Sequence, residues 1–231
     1  MTILIISAVD AERDAATRHL DPSGPISVSH YTGASFTTPA GPVHAFSCGV
    51  GPVEAATTTA TLVAVERSYD VVINAGIAGG FKGRVAIGDI VLAEVSTFAD
   101  LGVRTDDGFL TLREMGLPQD SGLALGDQRL LDRISAARQL ASGEVLTLAC
   151  MTGTEPDAAE LARRYPRALA EAMEGFAVIS ATRGYDNVRF VAEVRAISNI
   201  IGRRDRSTWN IPLAFDALAE AISALLGAPL L

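Results

Sequence analysis

The sequence predicts an α/β fold in which a central, mainly parallel sheet is covered by helices on both faces. Two features point there. Apolar runs of strand length alternate with helical stretches along the chain, and glycine-rich or polar loops follow the ends of those runs. The 231 residues, 48% hydrophobic and 20% charged, suffice for one well-developed core, so the chain reads as a single domain over residues 1–231.

Ile3–Ala8 is a continuous apolar run suited to a strand buried on both faces, and Asp10–Leu20 follows as a charged amphipathic helix. Short β-rich pieces around Ile26–Tyr31 and Val43–Ser47 are separated by Gly, Pro, Ser and Thr clusters that mark hairpin turns. Gly49-Val50-Gly51-Pro52 then opens an Ala/Thr-rich helix to about Ser68, with Pro52 in its first turn. Val71–Ile73 is expected as a buried strand ending in the loop Asn74–Gly80. Gly88-Asp89 turns the chain into a strand over Ile90–Phe98, and a helix is expected over Asp127–Leu140. Val145–Ala149 reads as a strand, Asp157–Tyr165 as a helix and Ala168–Met173 as an extended stretch. Helix Glu174–Arg183, strand Arg189–Ile197 and a final amphipathic helix from about Leu213 to Leu226 complete the pattern.

Charge and cysteine usage narrow the function. The formal charge of −8, from 19 basic and 27 acidic residues, repels phosphate backbones and anionic lipid, so neither nucleic acid nor a membrane is expected as a partner. The N-terminal apolar run Ile3–Val9 meets Asp10, Glu12, Arg13 and Asp14 at once and is too short for a signal peptide or a span, which places the protein in the cytoplasm. Cys48 and Cys150 lie far apart with no Cys-x-x-Cys pair, and both read as buried thiols. His19, His30 and His44 show no ligand spacing, so neither a metal nor any other cofactor is expected.

The glycine clusters do not make a nucleotide motif. Glu54 stands where a dinucleotide fingerprint needs its third glycine, and Gly76-Ile77-Ala78-Gly79-Gly80 has the wrong spacing. Tight turns at strand ends explain the glycines equally well. Glu171-Ala172-Met173-Glu174-Gly175 is different in kind, because a carboxylate beside a polarizable thioether at a strand-to-helix junction can accept from two neighbouring ribose hydroxyls. Complementing the helix N-terminus would account for Glu174 as well. Arg195, inside an apolar strand that ends in Ser198-Asn199, needs an acid beside it. Alone, that describes a structural ion pair, and Glu12 alone is a solvated helix acid.

Taken together these residues resemble the nucleoside phosphorylase and nucleosidase superfamily, in particular the methylthioadenosine/adenosylhomocysteine nucleosidases and, more closely, the futalosine hydrolases. Glu12, Asn74–Gly80, Ile87–Asp89, Phe98–Gly102, Met151–Thr154, Glu171–Gly175 and Arg195–Asn199 carry the likeness across nearly the whole chain, and Arg203–Trp209 resembles the futalosine hydrolases. The resemblance implies a three-layer α/β/α sandwich around a mixed sheet, active as a homodimer or larger assembly. It implies hydrolysis of the N-glycosidic bond of futalosine, releasing hypoxanthine and dehypoxanthine futalosine in menaquinone biosynthesis. Glu12 would be the general base for water, Arg195 and Ser198 would orient the catalytic groups, and Met173 and Glu174 would hold the ribose. Asn199 would face the purine with Cys150, Met151 and Thr152 alongside, and backbone amides around Ala78 and Gly79 would line the pocket.

Phosphorylases of this superfamily have an arginine before the glycine loop and a hydroxyl residue within it; Asn74 and Ile77 occupy those positions here, which favours water over phosphate. Related adenosine-type nucleosidases have aspartate at the position of Asn199. An amide can donate to a 6-oxo oxygen and accept from N7–H, which favours hypoxanthine over adenine. A methylthioadenosine/adenosylhomocysteine nucleosidase is the alternative enzyme, and a non-catalytic nucleoside-binding protein is the alternative of another class. The cation for a carboxylate beyond the 5′ carbon is sought in Arg203, Arg204 and Arg206, with Trp209 as a stacking surface, although a solvated lid or subunit contact explains that loop too.

Overall fold

The computed structural model describes residues 1–117 and 140–230. The first strand, β1 (Thr2–Ser7), is the expected apolar run, and its alternation decides the layering. Ile3 and Ile5 pack into one core cluster and Leu4 and Ile6 into another, as the period of two along a strand requires. Helix α1 (Asp10–Thr17) stops short of Leu20, where Leu20 N–H turns back to the Thr17 carbonyl.

Strands β2 (Asp21–Val28), β3 (Tyr31–Thr38) and β4 (Gly41–Ser47) form an antiparallel meander. Sequence reading missed β3 because its glycine, serine and threonines look like turn residues. They are a strand because ladders on both sides hold them, and Gly33 is required there: a Cβ would lie 2.3 Å from the Ala45 carbonyl oxygen. Pro22 and Pro25 put β2 at the sheet edge, where a missing N–H costs no ladder bond.

Helix α2 (Pro52–Val65) leads into β5 (Tyr69–Gly80), and here the structure corrects the expected loop. Asn74–Gly80 continues the strand, because β11 (Phe190–Ile200) pairs with it in parallel to its last residue. After β6 (Ile90–Phe98), β7 (Gly102–Thr105) and β8 (Gly108–Thr111) make a separate hairpin. The helix expected over Asp127–Leu140 lies outside the described residues except for Leu140, which instead opens β9 (Leu140–Thr147). Helix α3 (Glu155–Arg164), β10 (Ala168–Ala172), helix α4 (Gly175–Thr182), one 3-10 turn at Arg206–Thr208 and helix α5 (Ile211–Leu226) complete the described chain.

The nine-stranded sheet runs β10-β9-β6-β11-β5-β1-β4-β3-β2, and β10 also pairs antiparallel with the end of β5. That extra pairing closes five strands into a barrel beside an open arm. The sheet is mixed rather than mainly parallel, with four of the nine pairings antiparallel. Helices α1 and α5 cover one face; Ala214, Ala217, Leu218, Ala221, Ile222 and Leu225 of α5 form the apolar stripe. Helices α2 and α4 cover the other. No helix among the described residues is long and apolar enough to cross a membrane.

Candidate active site

Strands β1, β5 and β11 lie side by side and run parallel, so their carboxyl ends open at one edge of the sheet, where such sheets receive ligands. Glu12, in the first turn of α1, reaches back over that edge. Its Oε2 accepts from Ala8 N–H at 3.1 Å and its Oε1 from Ile77 N–H at 2.8 Å. At 6% exposure it is buried, not a solvated helix acid. Burial raises its carboxyl above the ordinary value; the Arg195 guanidinium and Ile77 N–H oppose that rise, and Glu174 adds to it.

Arg195 is 1% exposed and finds the acid that its burial demands, twice over. Its Nε donates to Glu193 Oε1 at 2.9 Å, Nη1 lies 3.4 Å from Glu174 Oε2, and Nη2 donates to Asn74 Oδ1. Desolvation opposes its charge, but Glu193, Glu174 and Glu12 outweigh it and raise the guanidinium further. Glu193 went unrecognised in the sequence. The signal was there: two charged residues two apart in an apolar strand point to one face.

Glu174 precedes α4, yet its side chain makes no hydrogen bond to the helix. Its Oε1 instead accepts from Gly51 N–H at 3.1 Å. Gly51 has φ +98°, a conformation that favours glycine, and so turns its N–H toward the acid. The acid therefore serves the arginine and this loop rather than the helix end. Gly76 provides the space between the groups, since a Cβ there would lie 2.7 Å from both Glu12 Oε1 and Arg195 Nη1.

A second group sits at the far end of β5. Ser198 Oγ lies 3.2 Å from the Ala78 carbonyl and 2.9 Å from Asn199 Oδ1, which anchors the half-buried amide; Asn199 Nδ2 is 3.4 Å from the Ile200 carbonyl. Met173 is half-buried between these groups in sequence and flanks Glu174. Cys48 is buried as expected, whereas Cys150 is exposed, because its loop lies at the surface above β9. The N–H groups of Ala149 and Cys150 both donate to Asp100 Oδ2 at 2.9 Å. Thr152 donates from N–H to Glu171 Oε1 at 3.0 Å and from Oγ1 to Glu171 Oε2 at 2.5 Å. Asp100 and Glu171 were not singled out from the sequence as site residues, because neither spacing nor local pattern ties them to this loop. Met151 packs against the cluster built on Phe81 and Leu161.

The two groups share β5 and β11, so Glu12, Arg195, Glu174, Ser198 and Asn199 gather along one sheet edge. The Arg203–Trp209 segment lies against the loop before α3, with Arg204 N–H donating to the Gly153 carbonyl at 3.0 Å and Arg203 N–H to Glu155 Oε1 at 3.2 Å. The Arg204 and Arg206 guanidinium carbons stand 5.2 and 5.9 Å from the Trp209 ring centroid. Among the described residues no group of three or more His, Cys, Asp or Glu side chains is arranged to hold a metal ion.

Comparison with known proteins adds a second, independent line. A family model described as the phosphorylase superfamily matches residues 2–228. Futalosine hydrolase of Streptomyces coelicolor is 40% identical over 97% of this chain and 95% of its own length. A 5′-methylthioadenosine/S-adenosylhomocysteine nucleosidase of Maridesulfovibrio salexigens is 30% identical over 86% of each chain. Among solved structures, the 5′-methylthioadenosine/S-adenosylhomocysteine nucleosidase of S. pneumoniae with a transition-state inhibitor superimposes with a TM-score of 0.81 at 25% identity, covering 99% of each chain.

Proposed function

Since the chain belongs to the phosphorylase superfamily, we propose that it is a nucleosidase that hydrolyses the N-glycosidic bond of futalosine, releasing hypoxanthine and dehypoxanthine futalosine in the cytoplasm. The carrying observation is Glu12, a buried carboxyl with a raised proton affinity, held beside the Arg195–Glu174 pair over Gly76. Identity favours the futalosine branch, 40% over nearly the whole chain against 30% for the methylthioadenosine relative.

The mechanism follows from what each group can do. Glu12 takes a proton from water as it attacks the anomeric carbon, a step worth about 10²–10⁴ in rate. Glu174, oriented by Arg195, accepts from the ribose hydroxyls, with Met173 beneath the sugar. Positive charge grows on the sugar and negative charge on the base; N7 of the leaving hypoxanthine takes a proton from solvent, and Asn199, anchored by Ser198, donates to O6 and accepts from N7–H. Water is the better nucleophile here because the nearby cations and donors are committed. Arg195 is paired twice, Arg13 is held by Asp10 and Asp14, and the buried Asn74 amide spends its N–H on the Ile6 carbonyl. The arginines of the Arg203–Trp209 segment supply a cation for the carboxylate of the 5′ group. The whole chain acts as one domain within a homodimer or larger assembly.

Incubating purified protein with futalosine, inosine and methylthioadenosine, with and without phosphate, decides the reading. Hypoxanthine from futalosine without phosphate is the expected product; adenine release from methylthioadenosine alone would move the chain to the alternative branch. Asn199→Asp is expected to cost hypoxanthine release roughly 10²–10³, as loss of one transition-state donor does, and to raise relative activity on 6-amino substrates.

A further inference from the structure

Arg195 needs only acceptors to hold it, yet the fold brings a third carboxyl to the site. Glu193 is fully buried on β11, opposite Asn74 of β5, and its Oε1 accepts from Arg195 Nε–H at 2.9 Å. An amide oxygen would satisfy that N–H equally well, as Asn74 Oδ1 satisfies the one on Nη2. The second oxygen, Oε2, has no hydrogen-bond partner among the described residues. Hydrogen bonding therefore does not account for a carboxyl here. Stability does not either, because a buried ion pair recovers little beyond its own desolvation and is often no better than apolar packing. The fold nonetheless makes room for it, since a Cβ on Gly175 would lie 2.1 Å from the carboxyl. What a carboxyl adds over an amide is charge.

Resting on the nucleosidase reading above, we infer that Glu193 is a positioning residue that holds Arg195 and cancels its charge, so that Glu174 meets the sugar with a negative charge of its own. The distances favour this division. The guanidinium is 2.9 Å from Glu193 but 3.4 Å from Glu174, so its tighter partner is the acid buried behind it. With Glu174 as its only paired acid, Arg195 would neutralise that acid just as positive charge grows on the sugar. Glu12 does not make up the difference, because it loses its own charge as it takes the proton from water. Cys48, buried beside the cluster, senses the surplus of negative charge: burial pushes its thiol up to about 12, and among the charges Glu174 raises it more than Arg195 lowers it. Asn74 completes the clamp, since its Nδ2 donates to the Ile6 carbonyl and so fixes the oxygen that Arg195 uses. A charge arrangement set in advance needs no rearrangement during the reaction.

Glu193→Gln separates charge from shape, since it keeps the volume beside Gly175 and an oxygen for Nε–H. On futalosine, kcat should fall about 10–100-fold, the loss that follows removal of an outer carboxylate partner at metal sites. KM should stay nearly unchanged, the pattern of an interaction made only in the transition state. Binding gives a second readout that needs no turnover. A C-linked analogue of futalosine with a protonated nitrogen in place of the sugar ring oxygen should bind the wild-type protein more tightly than its uncharged counterpart with CH₂ there. Glu193→Gln should lower that preference by the same factor, and Glu193→Asp, which keeps the charge, should retain most of it. A Glu193→Gln protein that keeps the wild-type preference, or that binds both analogues equally less well, overturns the assignment. So does a wild-type protein without the preference, a result that needs no variant to fold. If the wild-type protein leaves futalosine uncleaved, the nucleosidase reading falls, while the ratio of the two affinities still decides whether Glu193 prepares the site for positive charge.

Discussion

Glu12, the base in the proposed function, shows how burial changes an ordinary carboxyl. A carboxyl at its unperturbed value of 4.5 holds protons weakly and is a poor base; desolvation raises it, and Arg195 and Ile77 N–H keep the rise in check. The sign for activity is direct: the base form dominates above the folded-state value, so activity declines as pH falls through it. The acid limb of kcat/KM is expected above 4.5, and Glu12→Gln should remove that limb while lowering kcat about 10²–10⁴. A pH–rate profile whose limb lies at or below the ordinary carboxylate range would contradict the role. The same residue marks the limit of sequence reading at this scale. Its type and place after the first strand were legible, but not its burial, which comes from Ile77 and Gly76 some 65 positions away.

At the scale of elements, β11 and α4 are fitted to each other by one glycine. A Cβ at Gly175 would lie 2.1 Å from the Glu193 carboxyl, so the start of α4 is shaped around the acid that clamps Arg195. Gly175→Ala is expected to destabilise the protein by about 1–3 kcal/mol, as overpacking does, and to do so far less in a Glu193→Ala background. Urea unfolding of the two single variants and the double variant measures that coupling, and additive losses would show that the two positions do not meet. Strands and helices with a strong period were readable in advance: β1 from its unbroken apolar run, α5 from its apolar stripe. The second half of β5 was not. Asn74-Ala75-Gly76-Ile77-Ala78-Gly79-Gly80 has the local composition of a loop, and it becomes strand because β11 and β10 provide ladders and its glycines leave room for Glu12, Arg195 and Ile201. Tertiary pairing overrode local preference, as it did in β3.

For the whole molecule, the sheet is what makes the site a single object. Its groups come from β1–α1, β5, β10–α4 and β11, elements spread from Glu12 to Asn199, and β10 reaches β5 only because five strands close on one another. No contiguous piece of the chain holds all of these groups, so under the proposed function base binding should be linked to global rather than local opening. Amides of β5 over Val71–Ala75 and of β11 over Ala192–Ala196, buried at the sheet centre, are expected to exchange with solvent only through global unfolding, while those of edge strand β2 exchange through cheaper local opening. Hypoxanthine at a hundred times its dissociation constant stabilises the folded state by about 2.7 kcal/mol. It should therefore slow the central amides about a hundredfold and leave the β2 amides nearly unchanged. Hydrogen exchange followed by mass spectrometry or NMR makes the comparison, and central amides that keep their rate in the presence of bound base would mean that a smaller cooperative unit carries the site.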